Sequence, residues 1–96
     1  MKTMDDIRKD IDKIDDEIAK LYVERMALCK EIGIKKAEKG SAVNVSEREK
    51  AIVNRITANT DDEMKRYIKN LYETIFFQSK NFFKKKKLFL DNFFFS

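Results

Sequence analysis

The sequence predicts an all-α chain of three helices, and three observations support this fold class. The 96 residues contain no Pro and only two Gly, while Lys, Glu, Ile, Asp and Ala are abundant. Apolar residues recur at alternating steps of four and three through the first third of the chain. Three Ser or Thr residues are each followed, three positions later, by an acidic residue, which is a pattern that opens helices. The length predicts one small domain.

Helix 1 is predicted over residues 4–39. The pair Thr3 and Asp6 forms the first capping pattern, and Gly40 suits the left-handed position that ends a helix. A helix of this length spans roughly 50 Å. Because that is too long for a compact chain of this size, we expect the ends of the helix to pack on a second chain.

Helices 2 and 3 are predicted from the other two capping patterns. Ser46 and Glu49 open helix 2, over about residues 46–58, and Thr60 and Glu63 open helix 3 near residue 61. Each helix has one apolar side, formed by Ile52, Val53 and Ile56 in helix 2 and by Met64, Ile68, Leu71 and Ile75 in helix 3.

The basic charge of the chain is a property of its last residues. The net charge is +4; because Lys84–Lys87 contribute +4 and Asp91 contributes −1, residues 1–83 carry only about +1. We therefore predict a helical domain over residues 1–83 and an atypical Lys- and Phe-rich tail over 84–96. The tail can continue helix 3, fray or mediate association. We expect neither a nucleic-acid partner nor a membrane partner, since no apolar run is long enough to span a bilayer.

The composition also argues against several kinds of chemistry. There is no His, no CxxC pair and no Gly-rich phosphate loop, so we expect no cofactor and no metal. The single cysteine, Cys29, cannot form an internal disulfide and is read as a small buried apolar residue. With no signal peptide, the cytoplasm is the expected compartment.

Two cations interrupt the apolar stripe of helix 1. The repeat requires an apolar residue between Leu21 and Leu28, and that residue is Arg25. Lys36 lies eleven residues later, within about 20° of the same face and roughly 16 Å along the axis. Gly33 lies between the two and allows a close approach. Such cations either reach solvent or pair with Glu24, Glu31 or Glu47, or they bind a carboxylate ligand, which Arg clasps bidentately.

Polar residues also interrupt the inward sides of the other helices. Arg48 and Glu49 precede Ile52 and Val53 by four residues in helix 2, and Ser79 follows Ile75 by four in helix 3.

Arg8 is seventeen residues from Arg25, roughly 25 Å along the helix. It cannot reach a pocket at Arg25 within one straight helix, but an antiparallel second chain can deliver it.

These residues carry a resemblance to a known family. The stretch "IRKDIDKIDDEIAKLYVERMALCKEIGIKKAEKG", followed by "SEREKAIVNRI", resembles the all-helical chorismate mutases over about residues 4–80. The resemblance implies an intertwined homodimer of three-helix chains with two equivalent active sites. It also implies the isomerase reaction that converts chorismate to prephenate, in the shikimate pathway to phenylalanine and tyrosine.

The resemblance implies a role for each polar residue. Arg8 would bind a substrate carboxylate in the partner's site, and Arg25 would bind a carboxylate in its own. Lys36 would donate to the ether oxygen of the breaking bond and hold a carboxylate.

At the other end of the substrate, Arg48 would support the substrate and nearby acidic groups. Glu49 would accept a hydrogen bond from the ring hydroxyl, and Ser79 would line the pocket.

The sequence departs from the family at two positions. Val45 stands where an Asp usually helps to hold the substrate hydroxyl. Phe83 stands where a Gln or Glu usually supplies the second donor to the ether oxygen, and loss of one such donor costs on the order of 10²–10³ in rate. The nearest cations, Lys80 and Lys87, lie about 60° and 40° away round the helix.

Three alternatives remain open. An isochorismate-pyruvate lyase shares the fold and a similar cationic pocket. A helical dimer that binds the ligand without turnover is consistent with Phe83. A nucleic-acid role would rest on Lys84–Lys87 alone.

Overall fold

A computed structural model shows three α-helices: α1 (Met4–Lys39), α2 (Val45–Ile56) and α3 (Asp62–Phe95). It describes the backbone of residues 1–39 and 45–95 and the side chains of residues 1–36 and 46–82. No strand occurs in these ranges, which confirms the predicted all-α class. The bounds of α1 agree with the prediction, and α3 continues without a break from the domain into the predicted tail.

The start of α1 is a reciprocal cap. The backbone N–H of Thr3 donates to Asp6 Oδ2 at 3.0 Å, and the backbone N–H of Asp6 donates to Thr3 Oγ1 at 3.1 Å. The first of these bonds, helped by the Thr3 hydroxyl, lowers the pKa of the Asp6 carboxyl. The cap therefore stabilises the chain above the ordinary carboxyl pKa, and this contribution is lost as the pH falls through the lowered value.

The starts of α2 and α3 differ from the prediction. The helix α2 begins one residue early, at Val45, and the Glu49 carboxylate pairs with α3 and does not turn back to Ser46. The cap of α3 is Asp61, whose Oδ1 accepts from the Met64 N–H at 2.7 Å. The prediction of Thr60 as this cap is wrong, because a carboxylate at the next position is the better acceptor beside the positive helix end.

The helix α3 is the centre of the chain, and both α1 and α2 pack against it. The turn from α2 is secured by Thr57, which is buried and donates its hydroxyl to the Val53 carbonyl at 2.6 Å. Among the described side chains, Phe76 is the one buried apolar residue, at 8% exposure. The radius of gyration is 17.6 Å, well above the ~12–13 Å of a compact domain of this length.

The apolar stripe of α1 is exposed along its whole length in the single chain. Its members are 44% to 59% exposed because α3 covers only part of a 36-residue helix. The stripe, which we call the α1 stripe, comprises Ile7, Ile11, Ile14, Ile18, Leu21, Leu28 and Ile32. A face of this size exposed to water is typical of a surface that another chain covers.

None of the helices, over the described residues, is both long and apolar enough to cross a membrane.

Candidate active site

Arg25 lies at the contact between α1 and α3. Its Nη1 donates to Ser79 Oγ at 3.1 Å and approaches Cys29 Sγ at 3.6 Å. Arg25 pairs with no carboxylate in the described part of the chain, so pairing with a local Glu is not what holds it. Cys29 was predicted to be a buried apolar residue. It is instead half-buried, and its thiol lies beside the charged Arg25 guanidinium.

Two aromatic rings of α3 support the Arg25 guanidinium. Its Cζ lies 5.5 Å from the centre of the Phe76 ring and 5.9 Å from the centre of the Tyr72 ring. The two rings meet edge to face, with centres 5.6 Å apart. Each cation–π contact stabilises this position by about 0.5–1 kcal/mol. The N–H groups not bonded to Ser79 or Cys29 have no other hydrogen-bond partner among the described residues, and they are the ones that can bind an anion.

The Ser79 hydroxyl is nearly buried, at 9% exposure, and its orientation is fixed. Its oxygen lies 2.7 Å from the Ile75 carbonyl and 3.5 Å from Met26 Sδ. A hydroxyl has one proton, and the shorter contact to the stronger acceptor is the one that takes it. The Ser79 oxygen is then free to accept from Arg25, so this Ser positions the cation.

Glu49 brings α2 to the same segment of α3. Its Oε1 is buried and lies 2.7 Å from Lys80 Nζ. The angles at this contact do not satisfy those of a hydrogen bond, so the attraction is that of two charges. Lys80 follows Ser79 directly, so α1 and α2 contact adjacent residues of α3, whose side chains project about 100° apart round the helix. Within the described residues α1 and α2 do not contact each other.

The other predicted site residues are not brought to this point by one chain. Lys36 is half-buried on α1, and Arg48 is exposed on α2, although its spacing predicts the inward side. Arg8 is exposed near the start of α1, with Nη1 3.9 Å from Asp5 Oδ1. The side chains of Val45 and Phe83 lie outside the described residues.

The sequence did not identify four residues at this contact. Tyr72 and Phe76 precede Ser79 by seven and three residues, and this helical spacing is a signal that places them on the same face. The Tyr22 hydroxyl donates to Gln78 Oε1 and so joins α1 to α3 beside the site. No pattern in the sequence indicates this pair.

Comparison with known protein families gives a match that includes Arg25, Glu49 and Ser79. The sequence model of the chorismate mutase type II family matches residues 7–84. The chain belongs to the chorismate mutase type II family. This confirms the resemblance predicted over about residues 4–80, and the match continues to Lys84, the first Lys of the basic run.

Two relatives illustrate this membership. A chorismate mutase from Methanocaldococcus jannaschii is 47% identical over 51 residues, which are 53% of this chain and 52% of that protein. A bifunctional chorismate mutase/prephenate dehydratase from Aquifex aeolicus is 41% identical over 56 residues, 58% of this chain and 16% of that protein. The chain thus spans about half the length of the first and about a sixth of the second. No solved structure matches it.

Proposed function

We propose that this chain catalyses the rearrangement of chorismate to prephenate. The observation that carries the proposal is the family match over residues 7–84, which includes the Arg25–Ser79 contact. In this reaction a C–O bond breaks as a C–C bond forms within one molecule, and no proton or electron is exchanged with the protein. The protein has only to hold the dicarboxylate in its reactive shape and to stabilise the charge that develops on the ether oxygen.

Arg25 is the proposed carboxylate-binding residue of each site. Its guanidinium is already held by two rings and a hydroxyl, so little conformational freedom is lost when substrate binds. Lys36 lies on the same face of α1 and is proposed to donate to the ether oxygen and to hold a carboxylate. Glu49 is proposed to accept from the ring hydroxyl, with Ser79 lining the pocket and Arg48 supporting the substrate end.

The proposed active unit is an intertwined homodimer. The side chains of the α1 stripe are about half exposed in one chain, and burying the remainder of each would contribute roughly 1 kcal/mol, about half of the value for a fully exposed side chain. Arg8 is proposed to enter the partner's site and bind a carboxylate there. It is available for this role, since its one ion pair among the described residues is a 3.9 Å approach to exposed Asp5, which is worth little.

The proposed setting is the pathway to phenylalanine and tyrosine in the cytoplasm. The free Cys29 thiol is compatible with a reducing compartment.

The substitution Ile14→Asp tests the role of the α1 stripe. We expect it to give monomeric, largely unfolded protein and to lower turnover at least about 100-fold, because a carboxylate buried among apolar side chains has no partner. Sedimentation and circular dichroism report the two states. Lys20→Asp is the matched control, because exposed Lys20 lies six residues on and about 120° round the helix. Dimeric, fully active Ile14→Asp protein would remove the stripe from the proposed interface.

Turnover by the purified chain tests the function itself. Chorismate is expected to give prephenate with saturable kinetics, measured by loss of chorismate absorbance and by product analysis. Isochorismate is expected to give no pyruvate, and release of pyruvate would indicate the lyase of the same fold. Binding of chorismate without any product would indicate a ligand-binding dimer, the alternative that Phe83 favours.

A further inference from the structure

Lys80 lies on α3 next to Ser79, about 100° round the helix axis. It follows Ser79, whose oxygen accepts from Arg25 at 3.1 Å, and its own Nζ lies 2.7 Å from Glu49 Oε1. Nothing in the family resemblance gives position 80 a role. The contact with Glu49 is therefore a feature of this chain that its proposed mechanism has not used.

The burial of the two partners distinguishes this contact from an ordinary surface ion pair. The Glu49 side chain is 24% exposed and its Oε1 is buried, whereas the Lys80 side chain is 50% exposed. A buried carboxylate oxygen without a cation is costly, and no hydrogen bond in the described part of the chain reaches Oε1. Lys80 is thus the group that offsets the charge at this oxygen.

We propose that Lys80 is a positioning residue for substrate recognition. This inference rests on the proposed function. Lys80 holds Glu49 through Oε1, and Oε2 is left to accept the hydrogen bond from the ring hydroxyl of the substrate. The attraction of Lys80 at one oxygen keeps the Glu49 carboxylate beside α3 and limits how far it can turn, which favours recognition of a single hydroxyl by the other oxygen. The partner so recognised is a cyclic dicarboxylate that carries one free hydroxyl.

The proposal predicts discrimination between two ligands that differ only in the hydroxyl. The probes are stable bicyclic ether dicarboxylates that mimic the cyclic transition state, one with the ring hydroxyl and one without it. Calorimetry on the full-length protein gives the Kd of each. We expect Lys80→Ala to raise the Kd of the hydroxylated ligand by about 10–100-fold, the effect of losing one charge-assisted hydrogen bond. The Kd of the ligand without the hydroxyl is expected to rise by less than about threefold. Lys80→Arg, which keeps the positive charge, is expected to bind the hydroxylated ligand nearly as tightly as the parent protein does.

Two control variants accompany this measurement. Lys69→Ala removes an exposed Lys eleven residues earlier on nearly the same face of α3, roughly 16 Å from Lys80, and is expected to change neither Kd. In a Glu49→Gln background, Lys80→Ala is expected to cost less than about threefold for the hydroxylated ligand, because the group through which Lys80 acts is already altered.

Three outcomes of the binding measurement overturn the proposal. Equal weakening of both ligands by Lys80→Ala would show that the pair only holds α2 against α3. No weakening of either ligand would show a solvated ion pair without function, and failure of the parent protein to bind either probe would show that no such site exists. Turnover of the parent is measured separately. If the parent protein distinguishes the two ligands but does not turn over chorismate, the proposed reaction is contradicted and the role of Lys80 is supported. If the parent is active and Lys80→Ala binds both ligands as the parent does, only the role of Lys80 is contradicted.

Discussion

Arg25→Ala is expected to lower kcat/KM for chorismate by about 10³-fold while the protein stays folded. The loss is large because Arg25 is the half-buried cation proposed to pair with a substrate carboxylate, and removing one partner of such a pair leaves the other charge unpaired. The fold is expected to survive, because Ser79 keeps its hydrogen bond to the Ile75 carbonyl and no carboxylate among the described residues loses a partner. Steady-state kinetics, circular dichroism and sedimentation measure these quantities.

Two further variants make the result for Arg25 specific. Arg25→Lys keeps the charge but loses the planar pair of donors and the stacking on Phe76 and Tyr72, so an intermediate loss is expected. Arg66→Ala removes an exposed Arg of α3 and is expected to leave turnover unchanged. Full turnover by a well-folded Arg25→Ala protein would refute the assignment of this residue to the site.

Phe83→Gln is expected to raise kcat by about 10²–10³-fold, the effect typical of one added donor to a developing negative charge. Position 83 follows Ser79 by four residues on the same continuous helix, about 40° round its axis. The amide of Gln would there supply the second donor to the ether oxygen that the family pattern contains and this sequence lacks. Comparison of the parent and the variant under saturating chorismate measures the gain.

The matched control for this substitution is Phe77→Gln. Phe77 is exposed on α3 and lies about 120° from position 83, so its replacement adds the same amide away from the site. An unchanged rate for Phe83→Gln in an active parent would mean that another group already stabilises the ether oxygen. A parent without activity that becomes active as Phe83→Gln would mean that this one side chain separates binding from turnover.

The helices were predictable because their signals are local. The Thr3–Asp6 cap, the absence of Pro and the repeat of Ile7 to Ile32 each act within a few turns. The cap of α3 was misassigned by one residue because Thr60 and Asp61 both suit that position, and the choice depends on how the chain leaves the buried Thr57.

The candidate site was predictable only in part, because its geometry depends on how the helices are rotated against one another. The break in the stripe identified Arg25, and the family resemblance implied that Ser79 lines the pocket, but their hydrogen bond was not predicted. The ion pair between Glu49 and Lys80 could not be predicted, because it depends on how α2 is rotated against α3, and no spacing within either helix determines that rotation. The position of Arg8 in the proposed homodimer would depend on a second chain, which the sequence of one chain does not place.

The described part of the single chain buries very little apolar surface, and this has a consequence for how activity would depend on the concentration of the protein. With Phe76 as the one buried apolar residue among the described side chains, little free energy of folding is available to a chain on its own. In the proposed homodimer, folding and association would be a single event that is second order in the chain. In a cell, the catalytic capacity would rise with the square of the amount synthesised while the chain is scarce, and only in proportion to it once pairs predominate. A modest change in expression near that threshold would change metabolic flux disproportionately.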